Sequence, residues 1–295
     1  MFKQGRVFLG GIAALLLCVS TSYAQLSDAW MVPAAANTGG VGGTYWRTDI
    51  SIHNPQDVTL PVVVQFLETG FDNTVVPTLD LDIFPWETVN LWDVLGPDLF
   101  AIQGTGAFLV YVPLEVVCPE NSCDFLVTSR TYTIDPWGGV GEFGQAIPGA
   151  ALLEGTDWYT FGYATGILND GAGFRCNIGV ASWTGDWTMV QVDVQDEFGN
   201  ILDSEIFDLP PFGHLQKRLR QTVTGGTLVF YVIDGPADAF VYPYASIVDQ
   251  DTGDPSYFFA KYSGVGASAK SGQRLSADFP GRGRMVTPPK LSSRK

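Results

Sequence analysis

The feature that most constrains this chain is an internal duplication. Trp30 to Arg47 and Trp158 to Arg175 span the same seventeen positions, so an offset of 128 superposes them without a gap. At that offset Ala36 meets Ala164, Gly43 meets Gly171, Trp46 meets Phe174, Asp49 meets Asn177 and Ile50 meets Ile178. One residue of slip brings Gly70-Phe71-Asp72-Asn73 near Glu197-Phe198-Gly199-Asn200. The run from Gly106 to Val112 matches Gly226 to Val232 at an offset of 120, and Asp135 meets Asp249 at 114. That last shortening equals the length of Cys118-Pro-Glu-Asn-Ser-Cys123, which therefore reads as an insertion in the first copy. Whatever fold one copy adopts, the other must adopt as well.

Each copy reads as strands. Leu79-Asp80-Leu81-Asp82-Ile83 and Val190-Gln191-Val192-Asp193-Val194 alternate apolar and polar, the period of a strand with one face on a core and one in water. Val62-Val63-Val64-Gln65-Phe66-Leu67 is a β-branched and aromatic run, and turn residues such as Asn54-Pro55 and Pro210-Pro211 punctuate the chain. Many short strands with no long helical period predict an all-β protein of two tandem immunoglobulin-like β-sandwich units. Only residues 91–100 and 215–223 read as short helical turns, in equivalent places.

The expected organisation is a signal peptide over residues 1–24, a first unit over 25–150, a second over 151–262 and a basic, disordered tail over 263–295. Lys3 and Arg6, the apolar run after them, and Ser22-Tyr23-Ala24 form a secretory signal with cleavage after Ala24. No other apolar run is long enough to span a bilayer, so the mature chain is expected to be secreted or periplasmic, with surface association as an option. Between residues 25 and 260 six basic residues face thirty acidic ones, a net of −24; from Lys261 onward eight basic residues face one acid, a net of +7. An acidic body repels nucleic acid, whereas the basic tail could lie on that body or hold an anionic component of the cell envelope.

The run Val32-Pro33-Ala34-Ala35-Ala36, the glycines of 39–43, Thr44-Tyr45-Trp46-Arg47-Thr48-Asp49-Ile50 and His53-Asn54-Pro55 carry a further signal. With Ser129-Arg130-Thr131-Tyr132 and Gly141-Glu142-Phe143-Gly144-Gln145-Ala146-Ile147-Pro148, this stretch resembles a repeated β-sandwich unit of secreted bacterial proteins. The resemblance covers most of the first unit and implies export and fold rather than a reaction. The second unit departs from it: Cys176 and Asn177 replace Thr and Asp, and nothing matches Arg130.

Cys118 and Cys123 close a short loop between strands and are expected to form a disulfide, leaving Cys176 as a buried thiol. Arg47, Arg130 and Arg175 are the basic residues within strands. Arg47 and Asp49 share a strand face, which suggests either an anion site or arginines stacked on aromatic rings and paired to neighbouring acids; recurrence of the arginine in both copies favours the structural role. Asp249, Asp251 and Asp254 surround a glycine turn with the oxygen chemistry that calcium needs, although without the spacing of a full calcium loop. No other cofactor is expected. Trp183 and Trp187 flank a turn and could form a platform for a sugar ring. The two histidines, His53 and His214, fall in turns of different units, and no nucleophile elbow, zinc motif or phosphate loop occurs.

These readings predict a non-catalytic extracellular binding or structural module with a glycan or protein partner. The alternatives are carbohydrate recognition by the Trp183/Trp187 turn, or a hydrolase with acidic catalytic residues between the units.

Overall fold

A computed structural model describes residues 27–117, 123–135, 141–263 and 279–287. The expected signal peptide at 1–24 and Cys118 lie outside the described residues. The first unit consists of β1 (Ala29–Gly39), β2 (Tyr45–His53), β3 (Leu60–Glu68), β4 (Val75–Ile83), β5 (Thr88–Leu91), β6 (Gly104–Tyr111), β7 (Leu126–Ile134), β8 (Glu142–Pro148) and β9 (Ala150–Ala151). The second consists of β10 (Phe161–Asn169), β11 (Phe174–Ser182), β12 (Thr188–Gln195), β13 (Ile201–Leu209), β14 (His214–Arg218), β15 (Val223–Asp234), β16 (Val241–Asp249), β17 (Pro255–Phe259) and β18 (Lys261–Ser263).

The duplication is visible in the hydrogen-bonded order. One layer of the first unit runs β4-β3-β6-β1-β9, and the other runs β5-β2-β7-β8. The second unit repeats this as β13-β12-β15-β10-β18 and β14-β11-β16-β17. Each strand thus corresponds to the one nine places later. In the first unit β1 also links the layers, because Ala29 to Asn37 pair with β6 while Thr38 and Gly39 pair with β2.

Alternation explains the two cores. In β4 Leu79, Leu81 and Ile83 are buried while Asp80 and Asp82 face solvent. Phe66, Phe100 and Phe108 meet at centroid separations of 5.1 to 6.4 Å in the first core. Val190, Val192, Val194, Phe207 and Phe230 fill the second. A third apolar cluster lies between the units. It joins the outer face of the first (Met31, Val63, Leu67, Leu109, Tyr111) to Trp183, Phe212 and Tyr242 of the second. Burying three aromatic side chains there stabilises the pair by several kcal/mol, at roughly 1.5–3 kcal/mol for each large side chain.

The structure corrects the sequence reading in four places. The gapless match of residues 30–47 to 158–175 fails in its first half. Val32 pairs with Phe108 as Ala164 pairs with Leu228, which places β10 at an offset of 132 from β1. Asn37 and Asn169 support this register: each donates its amide to two carbonyls of the loop that follows β5 or β14. The β1–β2 connection is therefore four residues longer than its counterpart. Second, residues 91–100 form consecutive turns rather than a helix. Asp93 and Ala101 hold positive φ angles of 46° and 52°, which break a helical path while Val94, Leu95, Leu99 and Phe100 still reach the core. Third, residues 214–218 are strand β14, fixed to β11 by a five-residue ladder.

The fourth concerns the basic tail. Gly281–Val286 forms β19, which pairs in parallel with β4, and the Phe279 ring stacks on Tyr111 at 3.9 Å. Arg282 Nη1 meets Asp80 Oδ2 at 2.7 Å, so this part of the tail lies on the acidic body. The edge of β4 is thereby covered, and no strand of the described residues pairs with the equivalent edge of β13.

Candidate functional site

The two units treat their equivalent arginines differently. In the first unit Asp49 lies on β2 opposite Arg130 of β7, and Arg130 Nε contacts Asp49 Oδ2 at 3.0 Å. Arg130 also bonds Glu142 Oε2 at 2.9 Å and lies 4.2 Å over the Tyr132 ring. Burial lowers its pKa, but the bonds to Asp49 and Glu142 prevail and raise it. Arg47 does not pair with Asp49, as its place two residues away suggested. Its partner is Asp93, at 3.3 Å, while Asp49 Oδ1 accepts the Asp93 amide. Alternate strand residues share a face, but their side chains stand about 7 Å apart, and Asp93, in the turn after β5, comes closer. Burial raises the pKa of Asp93, with Arg47 acting against it.

In the second unit the cation is kept and the acids are gone. Arg175 stands where Arg47 does, Asn177 replaces Asp49, and Ser246 occupies the ladder position of Arg130. Val94 N bonds Thr48 O as Leu219 N bonds Cys176 O, while Leu91 and Lys217 hold equivalent ladder positions, so two residues intervene in the first unit and one in the second. Asp93 thus has no counterpart. Arg175 is half-buried and makes no ion pair among the described residues, so the expectation that an acid holds it in place fails for this copy. Burial, and then the nearby Arg218 charge, push its pKa down.

Arg175 opens into a cleft of about 200 Å³ between the units. From the second unit the walls are Arg175, Asn177, Gln216, Tyr244, Ser246 and Val248; from the first they are chiefly Ala34–Ala36, Trp46, Thr131 and Gln145. Ser246 Oγ donates to Gln145 Oε1 at 3.1 Å and ties the walls together. Among the described residues no carboxylate lines the cleft. The arrangement offers one guanidinium, three amide side chains, hydroxyls and the Trp46 ring.

A network centred on the buried His214 and Tyr244 closes the rear of the cleft. Thr105 Oγ1 and Thr69 Oγ1 lie 2.8 Å apart, and Thr69 Oγ1 meets His214 Nδ1 at 2.7 Å. His214 Nε2 meets Tyr244 Oη at 2.9 Å, and Tyr244 Oη donates to Gln216 Oε1 at 2.9 Å. Gly179 makes room for this: a Cβ there would overlap the Tyr244 ring. Burial pushes the His214 pKa down to about 3 and raises that of Tyr244. Both histidines lie in strands rather than turns; His53 is at the end of β2, with Nδ1 2.9 Å from Thr88 Oγ1.

The other predicted sites are dispersed. Trp183 is buried at the unit junction, its ring 6.1 Å from Tyr242 and 5.7 Å from Phe279, whereas Trp187 is exposed. The tryptophan platform is not formed, because the apolar junction claims one of its two rings. Asp249 Oδ1 accepts the amides of Asp251 and Thr252, which lower its pKa and make it the cap of the β16–β17 turn. Asp249, Asp251 and Asp254 are not gathered as a metal site, and no group of three such side chains is so placed among the described residues. Cys176 is free and buried, and burial pushes its pKa up to about 12. Cys123 is buried in the first core, while its expected partner Cys118 lies outside the described residues. Sequence reasoning named Arg175 but missed the cleft; the one signal was that Asn177 stands where the first copy has Asp49.

No family model matches this chain, and no curated protein matches it in sequence. Among solved structures, a lectin from Pleurotus ostreatus in complex with GalNAc is similar at 10% identity and a TM-score of 0.21, covering 80% of this chain and 83% of that one. A likeness of that degree carries no argument about function.

Proposed function

We propose that this protein is an exported, non-catalytic binding module whose inter-unit cleft takes a small, hydroxyl-rich anion, such as the acidic sugar of a glycan. The observation behind this reading is Arg175, a half-buried cation whose equivalent in the sister unit is neutralised and which here faces a cleft. A desolvated charge without a partner costs stability, so its retention makes sense where a ligand completes it. A carboxylate would engage the guanidinium as a fork. Sugar hydroxyls would pair with Asn177, Gln145 and Gln216, and Trp46 offers an apolar ring. This keeps the carbohydrate reading and moves it from the Trp183/Trp187 turn to the cleft.

The test is an array of acidic and neutral oligosaccharides probed with the mature protein and with Arg175→Gln. Retention of uronate-bearing glycans by the wild type alone supports the proposal. Equal retention by both proteins, or retention of neutral glycans only, contradicts it.

A further inference from the structure

The contact between the two units uses one half of each, and the duplication leaves the complementary halves free. Within the chain, the loop end of the second unit seats on the outer face of the first unit's β4-β3-β6-β1 layer. The anchor is the β13–β14 turn. Phe212 is buried in the junction, and Asn73 of the β3–β4 loop donates to the Pro211 and Phe212 carbonyls from its backbone and side-chain nitrogens. Beside it, Thr69 and His214 form a parallel bridge.

Among the described residues nothing buries the equivalent turn of the first unit. His53 pairs with Thr88 as Ala181 pairs with His214, so Trp86 is the counterpart of Phe212. The backbone agrees: Trp86 has φ 62° and Phe212 φ 48°, a left-handed conformation that bulky residues rarely adopt. In Phe212 that conformation aims an aromatic ring into an interface. In the first unit it holds Trp86 65% exposed, beside Phe84 at 61%. The strain is kept at both positions, yet among the described residues only Phe212 has its contact within the chain.

The receiving face is duplicated too. Register places Phe161 at the position of Ala29, Tyr163 at that of Met31, Val229 at that of Leu109 and Tyr231 at that of Tyr111. Phe161 lies 5.6 Å from Tyr231 and 6.5 Å from Tyr163 by ring centroid, and Phe161 and Leu202 stay exposed. On the first unit this face is covered by the second unit and Phe279; on the second unit no apolar cluster of the described residues covers it.

We propose that the chain associates head to tail with further copies of itself. The Trp86 turn of one copy seats on the Phe161–Tyr163–Tyr231 face of the next, as the Phe212 turn seats on the first unit. Such a contact joins two different surfaces, so each copy added presents a new free head and a new free face, and growth is open-ended. Gln191, Gln195 and Thr227 replace Val63, Leu67 and Ala107 on the free face, so this contact is weaker than the internal one. Both partners are acidic, so added salt strengthens it.

Light scattering of the full mature chain, over a concentration series at low and high salt, reads this out. The expected result is a mass that climbs with concentration past the dimer without a plateau, and further at high salt. Trp86→Asp and Phe161→Asp alter exposed side chains, and unchanged melting curves check that both variants fold. Each alone should stay monomeric, but their equimolar mixture should stop at a one-to-one dimer, because each variant retains one good half. A wild type that is monomeric throughout, a mass that saturates at a dimer, or a mixture that stays monomeric would overturn the proposal. So would a monomeric wild type whose retention on oligosaccharides is lost in Phe161→Asp, which would assign that face to a sugar.

Discussion

Acid should weaken this protein through His214 well before its carboxylates begin to titrate. The imidazole is fully buried, held between Thr69 and Tyr244, and its pKa falls from an ordinary 6.5 to about 3. Between those values the unfolded chain binds a proton that the native state refuses. The stability contributed by the neutral ring is therefore complete above pH 6.5 and lost as the pH falls toward 3. Each pH unit well inside that window costs about 1.4 kcal/mol, and less near its upper end, so about 2 kcal/mol disappears between about pH 6.5 and about pH 4.5. The assay is urea unfolding followed by tryptophan fluorescence at several values between about pH 7 and about pH 4.5. Wild type is compared with His214→Gln, whose amide keeps hydrogen bonds to Thr69 and Tyr244 but does not titrate in this range. The carboxylates are common to both proteins, so the difference in slope isolates the histidine. Wild type should lose stability steeply where the variant loses little. Parallel curves would refute the reasoning, since they would mean the ring takes up its proton in the native state.

Arg130→Ala should cost about 1–3 kcal/mol because it leaves the buried Asp49 carboxylate with only a backbone partner, whereas Arg47→Ala, breaking a pair one-third exposed on both sides, should cost no more than about 1 kcal/mol; chemical denaturation of the two variants checks the order. Trp183→Ala should cost about 3–5 kcal/mol, seen as a lowered urea midpoint, because it empties the aromatic contact at the unit junction. Peptide mapping of exported protein without reductant should recover Cys118 linked to Cys123 and Cys176 as a thiol; a bridge from Cys176 would contradict both the insertion reading and its burial in the second core.

Much of the architecture was legible because period-two alternation and turn chemistry are local signals, and the duplication supplied each of them twice. Residues 91–100 misled because Val94, Leu95, Leu99 and Phe100 mimic a helical spacing, while the Asp93 and Ala101 backbone that prevents a helix leaves no mark in the composition. The first strand was misaligned because Trp30 and Trp158 are conspicuous, whereas the true register is held by the hydrogen bonds of Asn37 and Asn169. The candidate site was legible only in part. That Arg175 lacks a counter-ion depends on the missing counterpart of Asp93, which lies far from Arg47 in sequence and meets it after strand pairing. The tryptophan turn misled because a surface turn of one unit becomes interior once a second unit packs on it. That packing is a long-range fact, invisible to a reading of the turn itself.

The central claim is that Arg175 is kept for a ligand rather than for the fold, and the thermal stability of Arg175→Met tests it most directly. Methionine preserves most of the apolar stem and removes a desolvated cation that no acid balances, so the variant should melt at the same temperature as wild type or about 2–4 °C above it. In the same experiment, a galacturonate oligosaccharide should raise the melting temperature of wild type and leave that of the variant unmoved. A variant that melts several degrees lower, as Arg130→Ala should, and that still responds to the oligosaccharide would make Arg175 a structural residue and contradict the account.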